Sequence, residues 1–287
     1  MEPELILDLG LEIGENPVWH PGERCLYFED IPAGRIFRWN PAAGGHEVVF
    51  EGGTTGGFTI QQDGSLLLFV EDGGIQRLRA GTLERVVEEI PRERGTRFND
   101  VIADPEGRVY CGTMPGNDGA ARLYRLETDG SIHLVQEGIG LSNGMGFSPD
   151  LKRMYHTDSR KRRIYVYEYE RETGQLRNLG VFARVPEGEG VPDGMTVDSE
   201  GCVWSARWDG GCVVRYAPDG TEILRVGFPV RKVSSVTFGG GAYTELYATT
   251  AGGGGADEGP GAGGVFRVMT GCRGVPEFLS GVALCAS

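Results

Sequence analysis

Four polar residues stand at one fixed distance from a recurring turn. Glu15 lies five residues before His20, Asn99 five before Asp104, Asn143 five before Ser148 and Asp193 five before Asp198. Each turn launches an apolar stretch, so each polar residue opens the strand before it. Carboxylate and amide oxygens brought together, with no Lys or Arg in those positions, would repel one another or stay unsatisfied. A hard cation resolves both problems, and an oxygen-only set suits Ca²⁺, Mg²⁺ or Mn²⁺ better than a Cys/His zinc site. Each residue taken singly has a plainer reading, because Asn and Asp often bond their own backbone at turns. Shared register separates the two readings, since turn caps need not fall on one axis. The same place falls near Gly56 in a second unit and near Ser234 in a sixth.

Arg97 precedes Asn99 by two residues, which puts both on one face of an extended strand. A cation beside a metal pocket suits an oxygen-rich substrate; the alternative is a salt bridge to Asp100 or another carboxylate. Asp100 and Asp158 read as structural hydrogen-bond acceptors. The four histidines, His20, His46, His133 and His156, assemble no nucleophilic triad. Three fall in turns or outer strands, and His156, next to an aromatic anchor, reads as packed inside a sheet.

The elements that must position these residues come from a repeat. Asp104-Pro105-Glu106-Gly107-Arg108-Val109-Tyr110 parallels Asp198-Ser199-Glu200-Gly201-Cys202-Val203-Trp204, and weaker copies end on Tyr27, Leu67, Tyr155 and Tyr247. The six anchors are 40, 43, 45, 49 and 43 residues apart. A third strand follows each anchor, often with Arg, as in Ile36-Phe37-Arg38 and Val213-Val214-Arg215. With 48 Gly and 15 Pro, and no sustained 3.6-residue apolar period, helices are disfavoured. Six units of four strands predict an all-β, six-bladed β-propeller with antiparallel blades, in one domain over residues 1–287. Innermost strands line the channel of such a ring, so equivalent residues of different blades meet on its axis. The early strand Glu4–Leu9 is expected to pair with the last blade and close the ring, because an unpaired apolar edge is a liability. The Gly-rich run from Gly252 to Gly264 lacks a Gly-Lys-Ser/Thr ending and reads as a loop of the last blade rather than a phosphate cradle.

The formal charge of −13 argues against nucleic acid, which needs clustered Lys and Arg. The basic run Arg160-Lys161-Arg162-Arg163 reads as a solvated hairpin turn. An acidic start without an apolar segment, and no long apolar run, predict a cytoplasmic protein that does not engage a membrane. The six cysteines, Cys25, Cys111, Cys202, Cys212, Cys272 and Cys285, form no CxxC pair and read as reduced thiols.

Gly14-Glu15-Asn16-Pro17-Val18-Trp19, Arg97-Phe98-Asn99-Asp100, Ser142-Asn143-Gly144 and Pro192-Asp193-Gly194-Met195 resemble the SMP-30/gluconolactonase/regucalcin-like family from about residue 11 to 270. The resemblance implies one metal held by Glu15, Asn143 and Asp193, with Asn99 coordinating or close by. It implies Arg97 and Asn99 as substrate contacts and Asp193 as the proton-transferring residue. The expected cation is Ca²⁺ foremost, with Mg²⁺, Mn²⁺ or Zn²⁺ as alternatives. The expected substrate is a small sugar lactone, such as gluconolactone or arabinonolactone, and the expected assembly a monomer or weak homo-oligomer. Pro115-Gly116-Asn117-Asp118-Gly119 is shorter than the lid-like loop that animal members of that family carry there, which leaves substrate selection open. Two rivals keep the fold: an organophosphate hydrolase using the same metal site, and a non-enzymatic metal-binding scaffold.

Overall fold

The structure, a computed structural model, describes residues 1–253 and 258–283. Strand β1 (Glu4–Asp8) opens the chain. The first blade is β2 (Gly14–His20), β3 (Cys25–Asp30), β4 (Arg35–Asn40) and β5 (Gly45–Glu51). The second is β6 (Thr55–Ile60), β7 (Leu66–Val70), β8 (Ile75–Arg79) and β9 (Thr82–Val87). The third is β10 (Phe98–Ala103), β11 (Val109–Thr113), β12 (Ala121–Leu126) and β13 (Ile132–Ile139). The fourth is β14 (Ser142–Phe147), β15 (Arg153–Asp158), β16 (Arg163–Glu170) and β17 (Gln175–Arg184). The fifth is β18 (Val191–Val197), β19 (Val203–Trp208), β20 (Cys212–Tyr216) and β21 (Glu222–Gly227). The sixth is β22 (Val233–Gly239), β23 (Glu245–Thr250) and β24 (Gly264–Met269), and β1 adds its fourth strand by pairing antiparallel with β24. The ring therefore closes as the sequence predicts. Of the Gly252–Gly264 run, residues 254–257 lie outside the described residues, as does Cys285; the other five cysteines are free thiols. No helix among the described residues is long and apolar enough to cross a membrane.

The core explains why a blade does not stand alone. Its buried residues fall into six clusters, and each cluster joins one blade to the next. Trp204 and Val213 of the fifth blade pack with Phe238, Leu246 and Phe266 of the sixth. Trp19, Leu26 and Phe28 of the first pack with Tyr247 and Val265 of the sixth across the closure. Second strands are covered on both faces, so β3 and β11 are buried throughout, while the outermost β5 and β21 are mostly exposed.

Register converts the repeat into geometry. The six anchors pair across to Val18, Thr59, Ile102, Gly146, Thr196 and Thr237 of their inner strands. Each of these lies three residues past Glu15, Gly56, Asn99, Asn143, Asp193 and Ser234 respectively, so the six places are equivalent. On the other side, five anchors face an arginine, Arg38, Arg77, Arg125, Arg215 and Arg267, and Tyr155 faces Val166. These arginines tie the third strand back to turn carboxylates such as Glu23, Asp63 and Asp198. Every inner strand also shifts register at or beside its axial position, as between Ser142 and Met145 and between Pro192 and Met195. Such bulges re-aim side chains.

Candidate active site

The inner strands run close together at the axis, and glycine makes that approach possible. A Cβ on Gly144 would lie 2.6 Å from the Asp193 carbonyl oxygen and from the Met195 nitrogen; one on Gly194 would lie 2.7 Å from Ser235 Cα. This is why Asn143 and Asp193 are each followed by glycine.

Glu15, Arg97, Asn99, Asn143 and Asp193 line one cavity of about 310 Å³. Ile13, Ile31, Met114, Leu141, Val191 and Trp208 give it apolar walls, and Ser159 and Arg160 complete it. Glu15, Asn143 and Asp193 are only 7 %, 5 % and 5 % exposed, whereas Arg97 and Asn99 are half-buried. The axial places of the other two blades contribute no ligand. Gly56 has no side chain, and the Ser234 hydroxyl is spent on the Gly14 carbonyl (2.5 Å) and on Thr249 Oγ1 (3.0 Å).

The charges sit uneasily. Burial, followed by hydrogen bonds and Arg97 that work against it, leaves the Glu15 carboxyl pushed up to about 7. Burial first, then Glu15 and Asp100, pushes Asp193 well above the usual carboxylate range. The Asn143 amide oxygen is buried with no hydrogen-bond partner. Two disfavoured carboxylates and an orphaned carbonyl-type oxygen are the donor set a hard divalent cation satisfies, so the residues fit such an ion. Asn99 is differently placed. Its Nδ2 donates to the Ser142 carbonyl (2.9 Å), and its Oδ1 accepts from Arg97 Nη1 (2.9 Å). Arg97 makes no salt bridge to Asp100; its Nη1 also donates to the Phe98 carbonyl (2.8 Å).

Asp158 is the structural acceptor the sequence suggests, taking the amides of Gly140 (2.9 Å) and Lys161 (3.2 Å). Asp100 differs from that reading. It accepts from the Val101 amide, but burial, then Glu15, pushes its carboxyl well up, so it shares the axial field. His156 is packed in its blade, with Nε2 2.8 Å from Ser142 Oγ and a ring pushed down to about 4 by burial.

Four residues near the site carry no signal in the repeat. Glu29 pairs across from Glu15, is 1 % exposed, and leaves both carboxyl oxygens unpartnered. Arg160, from the run that reads as a solvated turn, is exposed yet forms part of the cavity wall. Trp208 ends β19 with Lys232 Nζ 5.6 Å from its ring centroid, and Ser159 follows β15. The Pro115–Gly119 segment is a short turn, closed by Gly119 donating to the Gly116 carbonyl (2.9 Å). Elsewhere, Asp198, Glu200 and Cys202 offer ligand atoms within 4.8 Å of one another, but Arg215 already pairs with both carboxylates.

The profile of the "SMP-30/Gluconolactonase/LRE-like region" matches residues 13–252, which include all five of these cavity residues. The chain belongs to this SMP-30/gluconolactonase family. Pentonolactonase XacC of Haloferax volcanii is 47 % identical over 287 aligned positions, covering 97 % of this chain and 98 % of its own. The 6-deoxy-6-sulfogluconolactonase of Pseudomonas putida is 34 % identical over 243 positions, covering 83 % of each. Among solved structures, the calcium-binding protein regucalcin of Agrobacterium tumefaciens superposes with a TM-score of 0.89 at 26 % identity, covering 96 % of both chains. The SMP-30/gluconolactonase membership accords with the six blades and with the motifs around Glu15, Arg97, Asn143 and Asp193.

Proposed function

We propose that this protein is a divalent-metal-dependent lactonase that opens the ring of a small sugar lactone. The observation that carries the reading is that Asn143, whose amide oxygen is buried without a partner, lines one cavity with the buried Glu15 and Asp193. Lactonases among the relatives, a pentonolactonase and a 6-deoxy-6-sulfogluconolactonase, support the substrate class, and a calcium-binding structural neighbour supports Ca²⁺ as the first candidate ion.

Glu15, Asn143 and Asp193 would hold the cation, with Asn99 next to it. A divalent ion bound there supplies Lewis-acid polarisation of an ester carbonyl and stabilises developing negative charge. Asp193 takes the proton from the attacking water as general base. Arg97 donates to substrate oxygens from the half-buried wall, and Asn99 is held beside it by the Arg97 and Ser142 contacts. The apolar walls around Ile13, Leu141, Val191 and Trp208 limit competing water.

The test is proton release with gluconolactone, arabinonolactone and a fluorophosphate, each with and without EDTA, after subtracting spontaneous hydrolysis. Lactone opening that EDTA abolishes and added Ca²⁺ or Mn²⁺ restores is expected. Lactone turnover indifferent to EDTA, or hydrolysis of the fluorophosphate alone, would overturn the reading.

A further inference from the structure

We infer that Ser159 is a positioning residue that decides which end of the Asn143 amide faces the cavity. The inference rests on the reading of Asn143 as a metal ligand. A primary amide is nearly symmetric in shape, with an acceptor oxygen at one end and a donor NH₂ at the other; its hydrogen-bond partners decide which way it points. Only the oxygen can bind a cation.

The Ser159 hydroxyl has one proton. Ser159 Oγ donates it to the Pro192 carbonyl at 2.7 Å, and a carbonyl can only accept. The Ser159 oxygen is therefore left as an acceptor, and Asn143 Nδ2 donates to it at 3.1 Å. That bond holds the NH₂ end at Ser159, an end that also lies towards the Asp193 carboxyl, and Asn143 Oδ1 is buried without a protein partner. Ser159 is 4 % exposed and Asn143 5 %, so bulk water does not compete for either bond.

The relay has a second consequence. Pro192 directly precedes Asp193, so Ser159 ties the fourth blade's ligand to the fifth blade's backbone one residue from the next ligand. Ser159 is itself held by its amide, which donates to the Leu141 carbonyl at 3.1 Å. Asn99 is oriented by a different device, the Ser142 carbonyl, and its oxygen is occupied by Arg97. Of these two amides, Asn143 is the one whose oxygen has no hydrogen-bond partner.

The experiment titrates the metal-stripped full-length protein with Ca²⁺ and with Mn²⁺ by calorimetry. Removing an outer partner of a metal ligand typically costs about 10–100-fold in affinity, and that loss is expected for Ser159→Ala. Ser159→Thr keeps the hydroxyl and should bind as wild type. The discriminating variant is Asn143→Asp, whose two ends are both oxygens, so orientation no longer matters. In that background Ser159→Ala should cost little or nothing, whereas a general packing role would weaken binding in both backgrounds. If Ser159→Ala does not fold, Ser159→Cys, close in shape but a weak acceptor, is read in the same two backgrounds. Wild-type affinity in a folded Ser159→Ala or Ser159→Cys protein, or an equal loss in both backgrounds, overturns the inference. Asn143→Ala separates its failure from that of the underlying reading: if that variant binds metal as wild type, Asn143 is no ligand.

Discussion

Gly144→Ala places one methyl group where two blades meet at the proposed ligands. The new Cβ would lie 2.6 Å from the Asp193 carbonyl oxygen, 2.6 Å from the Met195 nitrogen and 2.8 Å from the Gly194 carbonyl carbon. All three are backbone atoms of β18, which cannot rotate aside as a side chain can. Ordinary contact begins near 3.4 Å, so the inner strands β14 and β18 must part by about 0.8 Å. Metal–ligand distances hold within about 0.2 Å, so the shift that relieves the clash also pulls Asp193 out of position relative to Asn143. Overpacking of this kind costs about 1–3 kcal/mol. Two assays separate the effects. Urea unfolding in EDTA reads the packing cost alone, and calorimetric titration with Ca²⁺ reads the ligand geometry, where a loss of at least about tenfold is expected, as for removal of a residue that supports a metal ligand. Gly227→Ala is the control, because a Cβ there meets nothing within 4 Å, and it should stay within about 0.5 kcal/mol of wild type. Wild-type stability and affinity in Gly144→Ala would refute the claim that the inner strands crowd at the ligand level.

Asp193→Asn keeps an oxygen and the shape but removes the proposed base, so turnover should fall by about 10²–10⁴-fold while metal still binds at raised concentration; near-normal turnover at saturating metal would make Asp193 only a ligand. Arg97→Ala should raise KM more than it lowers kcat in steady-state lactone hydrolysis, and a pure kcat effect would assign Arg97 to the transition state instead. Glu277, on the segment between β24 and the end of the described chain, is pushed up to about 7 by burial, partly offset by Thr196. The folded state therefore binds this proton more tightly than the unfolded chain, and the contribution is full below about 4.5 and lost as pH rises through about 7. Glu277→Gln should accordingly gain on wild type by at most about 3 kcal/mol at pH above 8, with the gap closing below pH 5; urea unfolding curves in EDTA whose separation does not change with pH would contradict it.

The fold was legible because a propeller writes itself in local periodicity. Anchors such as Tyr110 and Trp204 recur at blade length, and counting back from each turn reaches residues that the pairing register makes equivalent. Glu15, Asn99, Asn143 and Asp193 follow from that count, Arg97 follows from its two-residue spacing from Asn99, and all five line one cavity. What stayed hidden depends on contacts between blades. Nothing in Asp158-Ser159-Arg160 announces that the Ser159 hydroxyl bridges Asn143 to the Pro192 carbonyl, or that Arg160 of a basic turn reaches a cavity wall. Glu29 sits in an apolar-looking second strand, and only strand pairing places it across from Glu15. Asp100 reads as a structural hydrogen-bond acceptor because sequence neighbours suggest a local role, whereas its field comes from Glu15 on another blade and Glu277 beyond the last one.

If axial side chains of different blades share one cation, anomalous diffraction at the manganese edge from crystals of the full-length protein soaked in Mn²⁺ should show it directly. A single strong peak is expected in the axial cavity, bounded by oxygens of Glu15, Asn143 and Asp193. A peak at Asp198, Glu200 and Cys202 instead, or no peak at the axis under saturating Mn²⁺, would contradict it.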